Sequence, residues 1–308
     1  MKKDFLSIAE LNKEEIDALF ELAKDLKTRL KAGKTDHLLK GKTLAMIFQK
    51  PSMRTRVSFE TGMVQLGGHA LYLSPAEIGL GKRESAADVA RVISRFNDGI
   101  MARLFGHDLI EDLAKWAAIP VINGLTDFNH PCQILGDLLT IDELFGTLKD
   151  LKIAYVGDGN NIVHSWLNAA AKLPMTLSLA HPEGYDPDPK VVKYARDAGV
   201  SQVDIVRDPM EAVKDADVIY TDVWASMGQE EETAIRKKVF ADYQINMDLI
   251  RAAKPTVKVL HCLPAHRGDE ITDEVMDGPY SAVFQEAENR LHIQKAILVT
   301  FMGDKSGS

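Results

Sequence analysis

The chain has very little cysteine: two residues, Cys132 and Cys262, in 308. Two thiols so far apart make no disulfide framework and lack the clustered spacing of a zinc site, which fits a reducing, cytoplasmic setting. Long apolar runs are missing too. No stretch nears the roughly 20 apolar residues of a membrane span, and MKKDFLSIAELNKEE carries no apolar block of signal-peptide length behind its lysines. Nor is there an excess of positive charge. Lysine and arginine number 37 against 45 aspartates and glutamates, a formal net charge of -8. That excludes the broad basic footprint of a nucleic-acid-binding protein. An anionic ligand must therefore be held by a local basic cluster.

What is present is ordinary globular material, 45% hydrophobic and 27% charged, with no internal repeat. At roughly 150 residues per domain the length predicts two domains. Asn12 followed by Glu15 reads as a helix N-cap with its capping partner, and Ile16, Leu19, Phe20, Ala23, Leu26 and Leu30 recur behind it at helical spacing. Strand-like and helical patterns then alternate. In the first half the strands are Thr43–Phe48, His69–Leu73, Gly99–Leu104 and Val121–Asn123, with helices Arg54–Leu66, Ser85–Arg95, Asp108–Ala118 and Pro131–Leu144. After the polar break Gly146–Asp150 the strands are Lys152–Val156, Thr176–Ala180, Val203–Val206, Val218–Val223 and Val257–Leu260. Such alternation predicts an α/β fold of two doubly wound parallel sheets with helices on both faces. We expect domains at 1–147 and 148–286, with a last helix, about 287–302, packing back on the first.

The densest anion-binding capacity lies in KPSMRTR, Lys50–Arg56, where a strand ends and a helix begins. Helix N-termini there offer unpaired N–H groups and a positive dipole end. Ser52 and Thr55 add hydroxyls, and Arg54 adds a planar fork for phosphate oxygens. An N-capped surface helix with solvated arginines would carry the same residues. Arg103 lies at the end of the strand GIMARL, and FNHPCQ opens a helix after the next strand. His130 can donate to a carbonyl oxygen, and the Gln133 carboxamide can pair with a carbamoyl amide. Together these strand ends converge on one phosphate-plus-amide ligand.

The second half opens with YVGDGNN, whose dinucleotide fingerprint is broken by Ile162 where a third glycine belongs. Asp158, Asn160 and Asn161 present short polar groups there instead. In DVWASMGQEEE, Asp222 ends a strand as a carboxylate suited to an α-ammonium group. Ser226 and Met227 follow with a hydroxyl and an apolar wall for a methylene chain. Cys262 sits in HCLPAHRG at the end of another strand, as an inert thiol or a substrate contact.

KPSMRTR, MAR, HPCQ, DVWASMG and HCLPAHRG, in that order and spacing, resemble the motif set of the aspartate/ornithine carbamoyltransferase family across essentially the whole chain. The resemblance implies transfer of a carbamoyl group from carbamoyl phosphate to an amino-acid amine, without covalent intermediate, metal or cofactor. It assigns Ser52, Met53, Arg54, Thr55, Arg103, His130, Gln133 and Arg290 to carbamoyl phosphate. Arg54, Arg103, His130, Asp222 and Cys262 would serve the chemistry. Asn161, Asp222, Ser226, Met227, Cys262 and Leu263 would take the second substrate, Leu263 through its carbonyl. The lack of lysine or arginine in DVWASMGQEEE and its Ser-Met-Gly element resemble the ornithine branch, with citrulline as product and a place in arginine metabolism. Family trimers imply a homotrimer or a multiple of it.

Two positions depart from the family pattern. Met53 stands where a threonine is usual. Gly79 stands where many members carry a glutamine that reaches a neighbouring subunit's site. Both predict weakened carbamoyl phosphate binding. Transfer to another amine such as putrescine, a nucleotide-binding oxidoreductase, and a non-catalytic binding protein on the same fold are the alternatives.

Overall fold

The computed structural model describes residues 2–81, 83–225 and 232–304. Its residues form two compact units. One takes the chain up to Gly136 together with the residues from Asn289 onward, and the other takes Asp137–Glu288.

In the first unit four parallel strands lie in the order β2-β1-β3-β4: β1 Thr43–Phe48, β2 His69–Leu73, β3 Gly99–Arg103 and β4 Val121–Leu125. β3 and β4 are buried at every position, and β1 at all but its first, as expected for strands covered on both faces. β2, at the edge, is half exposed. The capping box at Asn12 forms as expected, with Glu15 N–H to Asn12 Oδ1 at 2.8 Å and Asn12 N–H to Glu15 Oε2 at 3.0 Å. Beyond the sequence expectation, Phe5 joins the sheet next to β4. Its N–H donates to the Val121 carbonyl at 2.9 Å, and its carbonyl accepts from Asn123 N–H at 2.8 Å.

In the second unit five parallel strands lie in the order β7-β6-β5-β8-β9: β5 Lys152–Val156, β6 Thr176–Ala180, β7 Gln202–Val206, β8 Val218–Thr221 and β9 Lys258–His261. Ala154, Val156, Ile219 and Val259 supply sheet residues to a core that Phe240, Ile245 and Ile271 complete.

Both sheets reverse strand order once, between β1 and β3 and between β5 and β8. Beyond the carboxyl ends of strands at such a reversal an open α/β sheet leaves a crevice. KPSMRTR and Arg103 follow the first pair, and Asp158–Asn161 and Asp222 follow the second.

The last helix, Val283–Met302, starts earlier than its sequence pattern suggests. Glu286, 1% exposed, accepts the His261 N–H, so a buried acid sits where periodicity expects an apolar residue. From Asn289 onward this helix packs on the first unit, as expected. Lys27 donates to Asn289 Oδ1 at 2.7 Å, and Phe301 meets Phe5 with ring centroids 5.7 Å apart.

His181 follows β6 with no exposed surface. Its Nδ1–H donates to the Gly157 carbonyl at 3.0 Å, tying the loop after β5 to the sheet. Burial pushes this imidazole down to about 4. Below the ordinary histidine value of about 6.5 the unfolded chain takes up a proton that the folded chain refuses, so stability falls as pH drops towards 4. This one group contributes a loss of about 3 kcal/mol between pH 7 and 4. His181→Asn, whose amide can keep the bond to Gly157, is expected to make that acid limb shallower in denaturant titrations at pH 7 and pH 5. An unaltered limb would show that His181 is not the group responsible.

Candidate active site

In the first unit Ser52 caps the helix Met53–Gln65 from an extended backbone, and its Oγ accepts from Thr55 N–H at 3.3 Å. Thr55 is fully buried, and its Oγ1 accepts from Ser52 Oγ at 3.2 Å and from an Arg290 guanidinium nitrogen at 3.0 Å. The other terminal nitrogen of Arg290 donates to Gln133 Oε1. One buried guanidinium thus ties the phosphate-type helix start to the helix Pro131–Phe145. A carbamoyl amide would compete with Arg290 for the Gln133 oxygen.

Of the basic residues in KPSMRTR, Lys50 is paired with Asp127 and lies 4.6 Å from the Phe105 ring centroid. Arg56 pairs with Glu60 at 2.9 Å and covers Tyr72 at 4.0 Å. Both therefore serve structure, and Arg54, partly exposed in the first turn, is the third. Met53 is the first helical residue and its side chain is 71% exposed.

Arg103 is buried at the end of β3, where the register against β4 slips past Gly124. Bulges of this kind re-aim a side chain at the rim of a sheet. Beside it, Asn123 donates to Asn129 Oδ1 at 2.5 Å, and Thr126 N–H donates to the Asn129 carbonyl at 2.9 Å. This buried turn delivers His130 to the start of its helix. Burial, then the charges of Arg290 and Arg103, hold His130 well below the ordinary histidine range. The imidazole is neutral at pH 7. Gly79 caps the short helix Pro75–Ile78 with φ +56°, and a Cβ there would stand 2.9 Å from that of Arg83. A glutamine at this position would be strained in this backbone.

In the second unit Gly159 passes so close to Pro187 that a Cβ would lie 2.4 Å from its nitrogen, which explains a glycine in this tight loop. Asn160 caps the helix Asn161–Ala170, and its Nδ2 donates to Asp222 Oδ2 at 2.9 Å. Asp222 Oδ1 accepts from its neighbour Val223 N–H at 2.8 Å and from the Cys262 thiol at 2.9 Å. Asn161 opens that helix, so the polar residues following β5, β8 and β9 meet around one carboxylate. Burial, reinforced by Asp222, raises the Cys262 thiol well above its usual value. It stands protonated, as a donor to Asp222 and not as a thiolate. Ser226 and Met227 lie outside the described residues.

Asp158 pairs with Arg236 at 2.8 Å, yet burial outweighs the guanidinium and pushes this carboxyl up to about 6. Arg236 also donates to the Trp224 carbonyl at 2.8 Å, holding the chain after Asp222. Sequence reading passed over Arg236, because a basic residue in an amphipathic helix looks solvated. It also passed over His261, although HCLPAHRG contains it. His261, Asp222 and Cys262 bring three ligand-type atoms within 4.8 Å of one another. Both ring nitrogens of His261 are already engaged, one by Glu270 at 3.0 Å and one by Leu263 N–H at 2.9 Å, so a metal there would have to break one of those bonds.

The first half of the chain, residues 3–143, matches the carbamoyl-phosphate binding domain of aspartate/ornithine carbamoyltransferases, and residues 149–301 match their aspartate/ornithine binding domain. The chain belongs to the aspartate/ornithine carbamoyltransferase family. It is 55% identical over 304 residues to the anabolic ornithine carbamoyltransferase of Pyrococcus furiosus, covering 98% of this chain and 96% of that one. It is 57% identical over 298 residues to the ornithine carbamoyltransferase of Syntrophus aciditrophicus, covering 97% and 99%. The solved structure of the P. furiosus ornithine carbamoyltransferase superposes with a TM-score of 0.94 at 55% identity, covering 97% of this chain and 96% of that chain.

The raised Cys262 thiol has a chemical consequence. At pH 8 its alkylation by iodoacetamide should be at least tenfold slower than that of a free cysteine, since the thiolate is the reactive form. Asp222→Asn removes a charge that opposes ionisation and should quicken the reaction. Equal rates in the two proteins, followed by mass spectrometry of the Cys262 peptide, would contradict this electrostatic coupling.

Proposed function

We propose that this chain transfers the carbamoyl group of carbamoyl phosphate to the side-chain amine of L-ornithine, giving L-citrulline and phosphate, in the biosynthesis of arginine. The observation that carries the reading is that each unit has its own cluster of polar side chains, of opposite chemical character. One is cationic and built on a helix N-terminus (Ser52, Arg54, Thr55, Arg103, Arg290), and the other is centred on the Asp222 carboxylate with Asn160 and Cys262. The first suits a phosphate, and the second suits an ammonium group. The near full-length likeness to ornithine carbamoyltransferases points to the same reaction.

In this mechanism the deprotonated amine nitrogen attacks the carbamoyl carbon, the bond from that carbon to the phosphate oxygen breaks, and the nitrogen gives up one further proton to the departing phosphate. The reaction balances with these two substrates alone. Ornithine's side-chain amine has an ordinary pKa of about 10.4, so it must shed a proton before it attacks. Asp222 can orient it by accepting its hydrogen bonds, with the Leu263 carbonyl as a second acceptor. Asn161, Ser226 and Met227 complete the amino-acid side of the proposal. On the other substrate, Ser52, Thr55, the Met53 N–H, Arg54, Arg103 and Arg290 bind the phosphate, while Gln133 serves the carbamoyl amide. His130, being neutral, acts as a hydrogen-bond donor to the carbamoyl oxygen, and the arginines supply the positive charge that stabilises the departing phosphate.

We place the protein in the cytoplasm, in keeping with its free cysteines and with helices of which none, among the described residues, is long and apolar enough to cross a membrane. We also assign it a homotrimeric state or a multiple of it. Val57 and Val64 on the helix Met53–Gln65 and Leu71 on β2 are 53%, 67% and 42% exposed, apolar side chains that self-association could cover.

Arg54→Ala is expected to lower kcat/KM for citrulline formation by at least a thousandfold, about 4 kcal/mol of transition-state stabilisation. Near-normal turnover would remove Arg54 from the mechanism. The same assay run with putrescine in place of ornithine should yield little product, because putrescine lacks the α-carboxylate of the amino-acid end that Asn161, Ser226 and Met227 are proposed to bind; equal rates would overturn the choice of substrate.

A further inference from the structure

We infer that His261 is a positioning residue for the ornithine side of the reaction, holding the Leu263 carbonyl and the Cys262 thiol in register through a buried imidazole–carboxylate pair. The inference rests on the proposed role of Asp222, Cys262 and Leu263 in binding ornithine.

His261 is the last residue of β9 and is 1% exposed. Its backbone N–H and both ring nitrogens are engaged. Its backbone N–H donates to Glu286 Oε2 at 2.8 Å, tying the strand end to the last helix. Its Nδ1 lies 2.9 Å from the Leu263 nitrogen, which can only donate, so Nδ1 carries no proton. The ring proton therefore sits on Nε2 and is donated to Glu270 Oε1 at 3.0 Å. Glu270 is fully buried, and the same oxygen accepts the His266 N–H at 2.5 Å. The turn from His261 to Glu270 is thus closed around one hydrogen-bonded pair whose tautomer the geometry dictates.

The pair acts on Leu263. This residue has φ +58°, a left-handed backbone that a leucine adopts only when its surroundings impose it. The bond from Leu263 N–H to His261 Nδ1 is the direct restraint on that conformation, and the conformation sets where the Leu263 carbonyl points. Cys262 lies between the two bonded residues, so the same restraint fixes the thiol that donates to Asp222. Glu270 in turn prevents the imidazole from rotating away. Neither His261 nor Glu270 is required to touch substrate in this arrangement.

Two substitutions separate the positioning role from a merely structural one. In His261→Gln the amide can still reach Glu270, but no acceptor remains beside Leu263 N–H. In His261→Asn the shorter amide returns an oxygen to the place of Nδ1. Titration with carbamoyl phosphate should give an affinity within threefold of the parent for both. His261→Gln should raise the ornithine KM at least tenfold and lower kcat, and His261→Asn should bring KM back to within threefold of the parent. An ornithine KM in His261→Gln within threefold of the parent would overturn the inference, as would no recovery in His261→Asn or an equal loss of carbamoyl phosphate affinity. If the histidine variants do not fold, as judged by circular dichroism, Glu270→Gln takes their place. It should raise the ornithine KM three- to tenfold at unchanged carbamoyl phosphate affinity, and an unchanged KM would overturn the inference. Asp222→Asn run alongside keeps the two levels apart. If it moves the ornithine KM while the His261 variants do not, the inference fails and the ornithine reading stands. If Asp222→Asn leaves that KM unmoved, the ornithine reading fails.

Discussion

A parallel sheet whose strand order reverses cannot cover the carboxyl ends of the two strands at the reversal, because the connections leaving them run to opposite sides. This chain contains two such reversals, one per sheet; Ser52–Thr55 and Arg103 follow the strands of the first, and Asp158–Asn161 and Asp222 those of the second. Helix N-termini begin at the same places, at Met53 after β1 and at Asn161 after β5. Their positive dipole ends make each crevice receptive to negative charge before any side chain is considered. The side chains then differentiate the two. Arginines reinforce the positive character of the first, and Asp222 reverses that of the second.

Buried polar groups hold this differentiation in place. Arg290 is shared between Thr55 and Gln133, so the two helices that present phosphate-type and amide-type ligands are braced by one cation. Burial, reinforced by the same cation and by Arg103, keeps His130 neutral, which divides the labour between a neutral donor and charged neighbours. In the second unit the logic runs the other way. Burial raises Asp158 and Cys262, leaving the thiol protonated and Asp222 as the acceptor of its proton. Low dielectric makes each of these arrangements strong when satisfied and costly when broken.

The sheets were legible because strands covered on both faces read as short apolar runs, and TLAMIF, KIAYV and TLSLA appear in the structure with the ends their sequences suggest. The strand-end motifs were legible for the same reason, since a polar cluster directly after such a run can only lie at the sheet rim. What local patterns cannot carry is pairing between distant positions. Nothing near Arg290 reveals that Thr55, 235 residues away in sequence, is its partner. Phe5 reads as the start of a terminal segment, yet it completes a sheet edge. Arg236 looks like one more charge on a short helix, while its guanidinium is buried against Asp158 and the Trp224 carbonyl. His261 escaped for a subtler reason, because its motif drew attention to the thiol beside it and its carboxylate partner arrives from nine residues further on.

On the proposed reaction each crevice serves its own substrate. Calorimetric titration of carbamoyl phosphate into the parent protein, Thr55→Val and Asp222→Ala tests it most directly. Thr55→Val, which deprives Arg290 and the bound phosphate of a buried hydroxyl, should lose at least tenfold in affinity, and Asp222→Ala should stay within threefold of the parent. Comparable losses in both variants, or a loss confined to Asp222→Ala, would contradict it.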